Sequence, residues 1–194
     1  METLELVPAR TALVAIDLQN LIVSFPTQPR DAHKVIQNTS LIASALRARG
    51  GFVVWVRVAF GVDNQDRLHP LCDQPMALPP NLPANSSEFA PGVAVEPQDH
   101  VVAKRQWGAF YGTDLDLQLR RRGLTTIILT GISTCFGVES TARAAYELGF
   151  EQVLVEDAMA ARSAAEHEHT VTRIFPRLGR VRPTAAVLTA LGGG

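Results

Sequence analysis

Two ionisable side chains stand where apolar strands should run out, and a third segment offers backbone donors. Asp17 comes at the end of the apolar stretch 11–18, and Lys104 closes the short apolar run 100–104. A carboxylate at a buried strand end is costly unless it is paired or does chemistry, and in open α/β sheets such strand ends line the ligand crevice. The plain alternatives are a carboxylate that caps a neighbouring loop and a surface lysine. Together the pair could transfer a proton, and Lys104 could steady both Asp17 and a substrate carboxylate. The third segment is Gly131-Ile132-Ser133-Thr134-Cys135-Phe136-Gly137-Val138-Glu139-Ser140-Thr141-Ala142-Arg143. It follows the β-branched run Thr125-Thr126-Ile127-Ile128-Leu129-Thr130 and precedes Val138, Thr141, Ala142, Ala145 and Leu148 at helical spacing, with Gly149 as a stop. A strand that passes through small residues directly into a helix presents backbone N–H groups suited to an anion or an oxyanion.

The elements that position these groups follow from periodicity. Residues 11–18 and 52–60 read as buried strands, and 100–104 as a third. Asp31 is an N-cap for a helix to Arg49, with Val35, Ile36, Leu41, Ile42, Ala45 and Leu46 inward and Gly50-Gly51 ending it. Residues 19–30, with Pro26 and Pro29, read as a loop. Thr113 or Asp114 caps a helix through Arg122. Gln152 to Val155 reads as a strand ending in Glu156-Asp157, and Ser163 opens a helix with Glu166 in the capping-box position. A short strand at Arg180-Val181-Arg182 and a helix from Thr184 to Leu191 close the chain. Seven of the twelve prolines fall between residues 61 and 97. Leu68, Leu71, Met76, Leu78, Leu82 and Phe89 within that irregular stretch predict that it packs as a lid or an interface arm.

Strands alternating with helices give an α/β class, a three-layer α/β/α domain with a mostly parallel sheet, and 194 residues suit one domain over 1–194. The glycine-rich dinucleotide fingerprint is absent after the first strand. The net charge of −1, with 46% hydrophobic and 19% charged residues, points away from nucleic acid and anionic membranes. No apolar run reaches membrane-spanning length, and Met1-Glu2-Thr3-Leu4-Glu5 lacks a basic signal-peptide start. Two cysteines, Cys72 and Cys135, suggest no disulfide framework and a cytoplasmic home.

The blocks Leu13-Val14-Ala15-Ile16-Asp17-Leu18-Gln19-Asn20, Lys104-Arg105-Gln106-Trp107-Gly108-Ala109-Phe110 and 131–143 appear in order, and the segments Val155-Glu156-Asp157-Ala158 and Glu166-His167 also fit. In these blocks the chain resembles the isochorismatase-like hydrolases, the cysteine hydrolase superfamily, over nearly its whole length. The resemblance implies a Rossmann-like six-stranded sheet of order 3-2-1-4-5-6 and a homo-oligomer, a homodimer or homotetramer. It also implies that Asp17, Lys104 and position 137 form the catalytic group. In amide-cleaving members a cysteine stands six residues after the opening glycine. Here that place is Gly137, as in true isochorismatases, and Cys135 lies two residues earlier.

The expectation is a hydrolase without metal or cofactor, in which Asp17 is general acid or base beside Lys104. A small, anionic metabolite is its partner. Phe25, Arg57, Trp107, Phe110, Ile132, Ser133, Thr134 and Cys135 are candidate substrate contacts, with Tyr111 a further aromatic wall and Arg105 a further carboxylate anchor. The alternatives are an amide or carbamoyl hydrolase using Cys135, and a binding protein without turnover. Against Cys135, a shift of two residues re-aims a side chain by several ångströms, whereas attack geometry tolerates about 1 Å. Metal binding lacks three converging ligands, since His167 and His169 are two apart on a helix.

Overall fold

A computed structural model describes residues 3–75 and 82–192. Six strands form one sheet in the order β3-β2-β1-β4-β5-β6, and every neighbouring pair is parallel. They are β1 (Thr11–Ile16), β2 (Phe52–Val58), β3 (His100–Lys104), β4 (Thr126–Ile132), β5 (Glu151–Ala160) and β6 (Arg180–Arg182). The chain builds outward from β1 to β3, then returns to the other side of β1 with β4. The carboxyl ends of β1 and β4 therefore flank the point where the strand order reverses, the usual ligand crevice of such sheets.

Two apolar layers sandwich the sheet. On one face Leu13, Ala15, Val53, Trp55 and Ile128 pack under α2 (Ala32–Arg47) and α6 (Thr184–Ala190). On the other, Ala12, Val14, Ile16, Val54, Val56 and Val102 pack under α3 (Leu115–Arg121) and α4 (Glu139–Glu147). Strands covered on both faces cannot alternate apolar and polar, and β1 and β4 are buried throughout.

Most boundaries follow the local chemistry. Asp31 accepts from Lys34 N–H at 2.8 Å to cap α2, and Ser163 and Glu166 form the full capping box of α5 (Ala164–His169). Several expectations need correction. Residues 20–23 form a short helix, α1 (Asn20–Val23), rather than loop. In α2 the buried stripe is Val35, Ile36, Asn38, Thr39, Ile42, Ala43 and Leu46, and Leu41, one residue round from Ile42, stays 49% exposed. Leu148 is likewise partly exposed where α4 ends. At α3 it is Thr113 Oγ1 that accepts from Leu115 N–H at 3.2 Å, while the Asp114 side chain holds His100 and Gln118.

The largest departure is β5, which continues past Glu156-Asp157 to Ala160. The β4–β5 register jumps from Leu129↔Leu154 to Gly131↔Met159, so the acidic pair sits in a bulge and not at a strand end. Asp157 Oδ1 accepts from the Thr184 N–H and hydroxyl and caps α6. The 61–97 stretch forms no regular element among its described residues, and Leu68 and Leu71 do not pack but stand exposed. Met76 and Leu78 lie outside the described residues, whereas Phe89 packs edge-on to Trp55 at 6.2 Å. Among the described residues no helix is long and apolar enough to cross a membrane.

Candidate active site

Asp17 leaves β1 with φ at +54°, a left-handed conformation that aspartate visits more readily than most residues. Its N–H still pairs with Val56 O at 2.9 Å, so the strand is held while the carboxylate is turned out of the sheet's alternation. Beside it, Gly131 carries φ +122°, and a Cβ there would lie 2.1 Å from Ile16 O. Only glycine permits that approach of β4 to β1, which brings the turn after β4 against Asp17.

That turn is a π-helical segment, Thr134–Val138, leading into α4, with a cis peptide between Ile132 and Ser133. The N–H groups of Phe136 and Val138 both donate to Ser133 O at 3.2 Å. Those two donors are therefore spent, which narrows the anion-binding capacity expected of the turn. Gly137 has no left-handed φ. A Cβ on it would lie 2.9 Å from Ile16 Cγ2, 3.1 Å from Asp17 Oδ2 and 3.5 Å from Lys104 Nζ. Asp17, Lys104 and Gly137 thus converge from three elements far apart in sequence.

Lys104 is buried, and its ammonium donates to Asp17 Oδ2 at 2.8 Å, Gln106 O at 3.1 Å and Trp107 O at 2.6 Å. Three acceptors use all three donors. Lys104 is therefore committed to the protein, and the direct hold on a substrate carboxylate expected of it has no free N–H behind it. Asp17 Oδ1 is different: it is buried and has no hydrogen-bond partner among the described residues. Burial raises the Asp17 pKa above the ordinary carboxylate value, and the Lys104 charge and hydrogen bond, with a lesser pull from the nearby Val58 N–H that is itself bonded to Gln19 Oε1, oppose that rise without cancelling it.

The other candidate contacts divide. Trp107 is half exposed, its ring lies 4.9 Å from Phe136, and its own carbonyl is one of the two that hold Lys104. Phe25 is half buried under the guanidinium of Arg162. Ser133 and Cys135 are half buried, with Ser133 Oγ 3.5 Å from Cys135 Sγ. The Cys135 thiol pairs with neither Asp17 nor Lys104, and burial pushes its pKa up, with Glu166 and Glu139 adding to the rise.

Four expected contacts, and the further anchor Arg105, have their side chains engaged within the protein. Ile132 belongs to the buried layer under α2, at the end of β4. Thr134 is buried with its hydroxyl 2.9 Å from His167 Nδ1. Phe110 is a core residue stacked on Phe150 at 5.8 Å. Arg57 falls between Val56 and Val58, which share the Lys104 face, so alternation sends it to the opposite face, over Phe89 and against Ser87 O. Arg105 is held at the surface by Asp66, 2.9 Å away.

Sequence reasoning missed three supporting residues. His167 joins the turn to the 19–30 segment: its Nε2 faces Arg30 Nη1 at 3.4 Å. A guanidinium cannot accept, so Nε2 must, and Nδ1–H then donates to Thr134 Oγ1. Burial first, then the Arg30 charge, lower the His167 pKa to about 4, in keeping with that neutral form. Gln19 accepts from Val58 N–H at 2.7 Å and donates to Val58 O and Ser86 O, pinning the end of β2 and residue 86 beside Asp17. Thr141 receives Ala109 N–H and donates to Gly137 O at 2.7 Å, tying the turn to the segment after Lys104. A buried polar side chain with partners so remote leaves no spacing to read. Among the described residues no three of His, Cys, Asp and Glu are grouped to hold a metal. A shallow groove of about 380 Å³, lined by residues such as His33, Gln37 and Leu41, lies instead on the outer face of α2.

Comparison with known proteins agrees with this geometry. The isochorismatase domain model matches residues 11–186. The chain is 47% identical over 189 residues to the uncharacterized isochorismatase family protein YwoC of Bacillus subtilis, covering 97% of each. It is 30% identical to the ureidoacrylate amidohydrolase RutB of Methylobacterium radiotolerans, over 98% of this chain and 83% of that one. The structure of an isochorismatase family protein from Burkholderia thailandensis superposes with a TM-score of 0.93 at 48% identity, over 98% of this chain and 100% of that one. Fold, strand order and sequence match together, and the chain belongs to the isochorismatase family of hydrolases.

Proposed function

We propose that the chain hydrolyses a small anionic metabolite without a covalent thiol intermediate, with Asp17 as the proton-transfer group. The observation that carries this reading is Asp17 Oδ1, a buried carboxylate oxygen with no hydrogen-bond partner among the described residues, beside a lysine whose donors are all spent. Such an atom is costly to bury, and a substrate atom that exchanges a proton with it supplies the missing contact. Burial that raises the Asp17 pKa moves it toward the range in which an acid works near neutrality.

Gly137 occupies the place of the nucleophilic cysteine in this reading. A side chain there would crowd Asp17 Oδ2 and Ile16, and glycine leaves that space to the substrate. With an enol ether, protonated Asp17 delivers its proton to the terminal alkene carbon. Water adds to the oxocarbenium carbon and returns a proton to Asp17. The resulting hemiketal breaks its C–O bond to give an alcohol and a ketone. Lys104 keeps Asp17 oriented through the cycle. Amide cleavage, the activity named for RutB, would need a thiolate, and the raised Cys135 thiol with only Ser133 as partner does not favour one.

Turnover of candidate enol ethers and ureido acids by the wild type, Asp17→Asn and Cys135→Ala tests this. Asp17→Asn should lose about 10²-fold or more in kcat, while Cys135→Ala stays within several-fold. The reverse pattern overturns the proposal.

A further inference from the structure

Donors that stand around Asp17 are drawn off to other acceptors. Lys104 spends its three N–H bonds on Asp17 Oδ2 and two carbonyls, which leaves Oδ1 without one. In the turn, the N–H groups of Phe136 and Val138 go to Ser133 O. On the β2 side the donor is the Val58 N–H, close enough to pull on the Asp17 carboxylate. It too is bonded elsewhere, to Gln19 Oε1 at 2.7 Å.

Gln19 is placed for this by the way β1 ends. Asp17 N–H takes Val56 O at 2.9 Å, and in a parallel ladder the next donor along β2 is that of Val58. Asp17, with φ at +54°, turns the chain out of the strand, and the Gln19 amide meets Val58 instead. A backbone N–H can only donate, so the amide oxygen must face Val58 N. The amide nitrogen then faces two acceptors, Val58 O at 2.9 Å and Ser86 O at 3.2 Å. The side chain is thus locked in one orientation, and it is only 1% exposed. Released from Gln19, the Val58 N–H would turn to the carboxylate, because an amide bonds a charged acceptor more strongly than a neutral one.

We infer that Gln19 is a positioning residue for the proton transfer: its Oε1 holds the Val58 N–H away from Asp17 and so keeps Oδ1 open to the reacting atom of the substrate. The inference rests on the reading of Asp17 as the proton-transfer group, and it deepens that reading by naming what keeps the group unpaired. A bond from Val58 would favour the carboxylate form and cover the atom that meets the substrate. Both effects weaken an acid that must hold its proton near neutrality. Lys104 on β3 is the charged side chain that acts on Asp17. From the other neighbouring segments, Arg57 of β2 faces away over Phe89, α1 carries no charge, Glu88 is exposed, and the Cys135 thiol sits with Ser133. If Gln19 only mended the end of β2, its loss would loosen that strand and leave the Asp17 titration unmoved.

The test is an NMR pH titration of protein isotopically labelled at its aspartate carboxyl carbons, with the Asp17 signal assigned as the one missing from Asp17→Asn. In the wild type Asp17 should titrate above the ordinary carboxylate range, and the Val58 amide proton, bonded to Gln19, should hold its chemical shift throughout. Gln19→Met, unbranched and of similar size, should lower the proton affinity of Asp17 by about tenfold or more. The Val58 amide should then follow the carboxyl titration. Gln19→Glu keeps an oxygen for the Val58 N–H and should leave Asp17 no more acidic than in the wild type. The inference is overturned by an unmoved Asp17 titration in Gln19→Met, by an equal fall in Gln19→Glu, by a wild-type Asp17 that titrates in the ordinary range, or by a wild-type Val58 amide that follows Asp17. If Gln19→Met does not fold, the wild-type Asp17 and Val58 signals decide alone. The Asp17 reading fails by a different measurement, full turnover in Asp17→Asn, whatever Gln19 does.

Discussion

Lys104 Nζ lies 2.8 Å from Asp17 Oδ2, and its two remaining donors go to the carbonyls of Gln106 and Trp107. A buried ammonium satisfied in full beside a carboxylate satisfied by half is a device for holding Asp17 in place. The pair should be strongly coupled. Lys104→Met should cost roughly 3 kcal/mol or more, because it leaves an uncompensated carboxylate in the interior. Adding Asp17→Asn should restore part of that loss. Urea unfolding of both single variants and the double variant measures the coupling, and purely additive costs would show that the pair does not act as a unit.

Gly137→Cys should fold, since the backbone there is not left-handed and the tightest contact is the Ile16 Cγ2 methyl, 2.9 Å from the added Cβ. The new thiol would stand beside Lys104 and the start of α4, whereas burial suppresses ionisation of Cys135. Iodoacetamide at pH 7 should label position 137 faster than Cys135 or Cys72, read by mass spectrometry of the peptides. Equal rates at all three would remove the turn from the active site.

His167 sets an acid limit on stability. Its pKa falls from 6.5 to about 4 in the folded chain, so between those values the unfolded chain holds a proton that the folded one does not. Folding is then opposed as the pH drops: the contribution is complete above 6.5, is lost progressively down to about 4, and changes no further below. The loss is on the order of 3 kcal/mol across that window. His167→Gln should flatten this part of the stability–pH curve in urea titrations at pH 7 and pH 4.5. Parallel curves would contradict the neutral, Arg30-facing imidazole.

Asp99 provides a second buried carboxylate, with a different outcome. Burial works to raise its pKa, but Arg47, the Glu96 N–H and Trp55 Nε1–H hold it below the ordinary value. Arg47→Ala should destabilise the chain by about 3–5 kcal/mol and alter the emission of Trp55, which donates to the same oxygen at 2.8 Å. A change below about 1 kcal/mol would place this pair among ordinary surface bridges.

Association is proposed on the exposed Leu68 and Leu71 of the Pro-rich stretch, which a single chain leaves uncovered. Sedimentation at micromolar concentration should give a two-fold oligomer, weakened by Leu68→Asp with Leu71→Asp. A monomer mass for the wild type would refute it.

Local rules carry a long way in this chain. The strands, the Asp31 and Ser163 caps and the glycine stops at Gly50 and Gly149 could all be read in advance, because each depends on neighbours within a few residues. Asp17 and Lys104 stood out for a related reason: a charge at the end of an apolar run is conspicuous in one dimension. The true extent of β5 was not legible, because Glu156 and Asp157 look like a strand end until Arg30 and Thr184 satisfy the bulge from far along the chain.

The fate of the aromatic and basic candidates was decided by packing alone. Phe110 and Trp107 lie three residues apart with similar chemistry, yet one is stacked in the core and the other stands half exposed beside Phe136. Arg57 and Arg105 were equally plausible anion partners by residue type. Strand alternation turned Arg57 to the far face, and Asp66 took Arg105 at the surface. Residue type determines what a side chain is able to do. Which polar atoms remain without a partner is settled only when the sheet brings distant segments together, because donors and acceptors are consumed by whichever groups the fold places next to them.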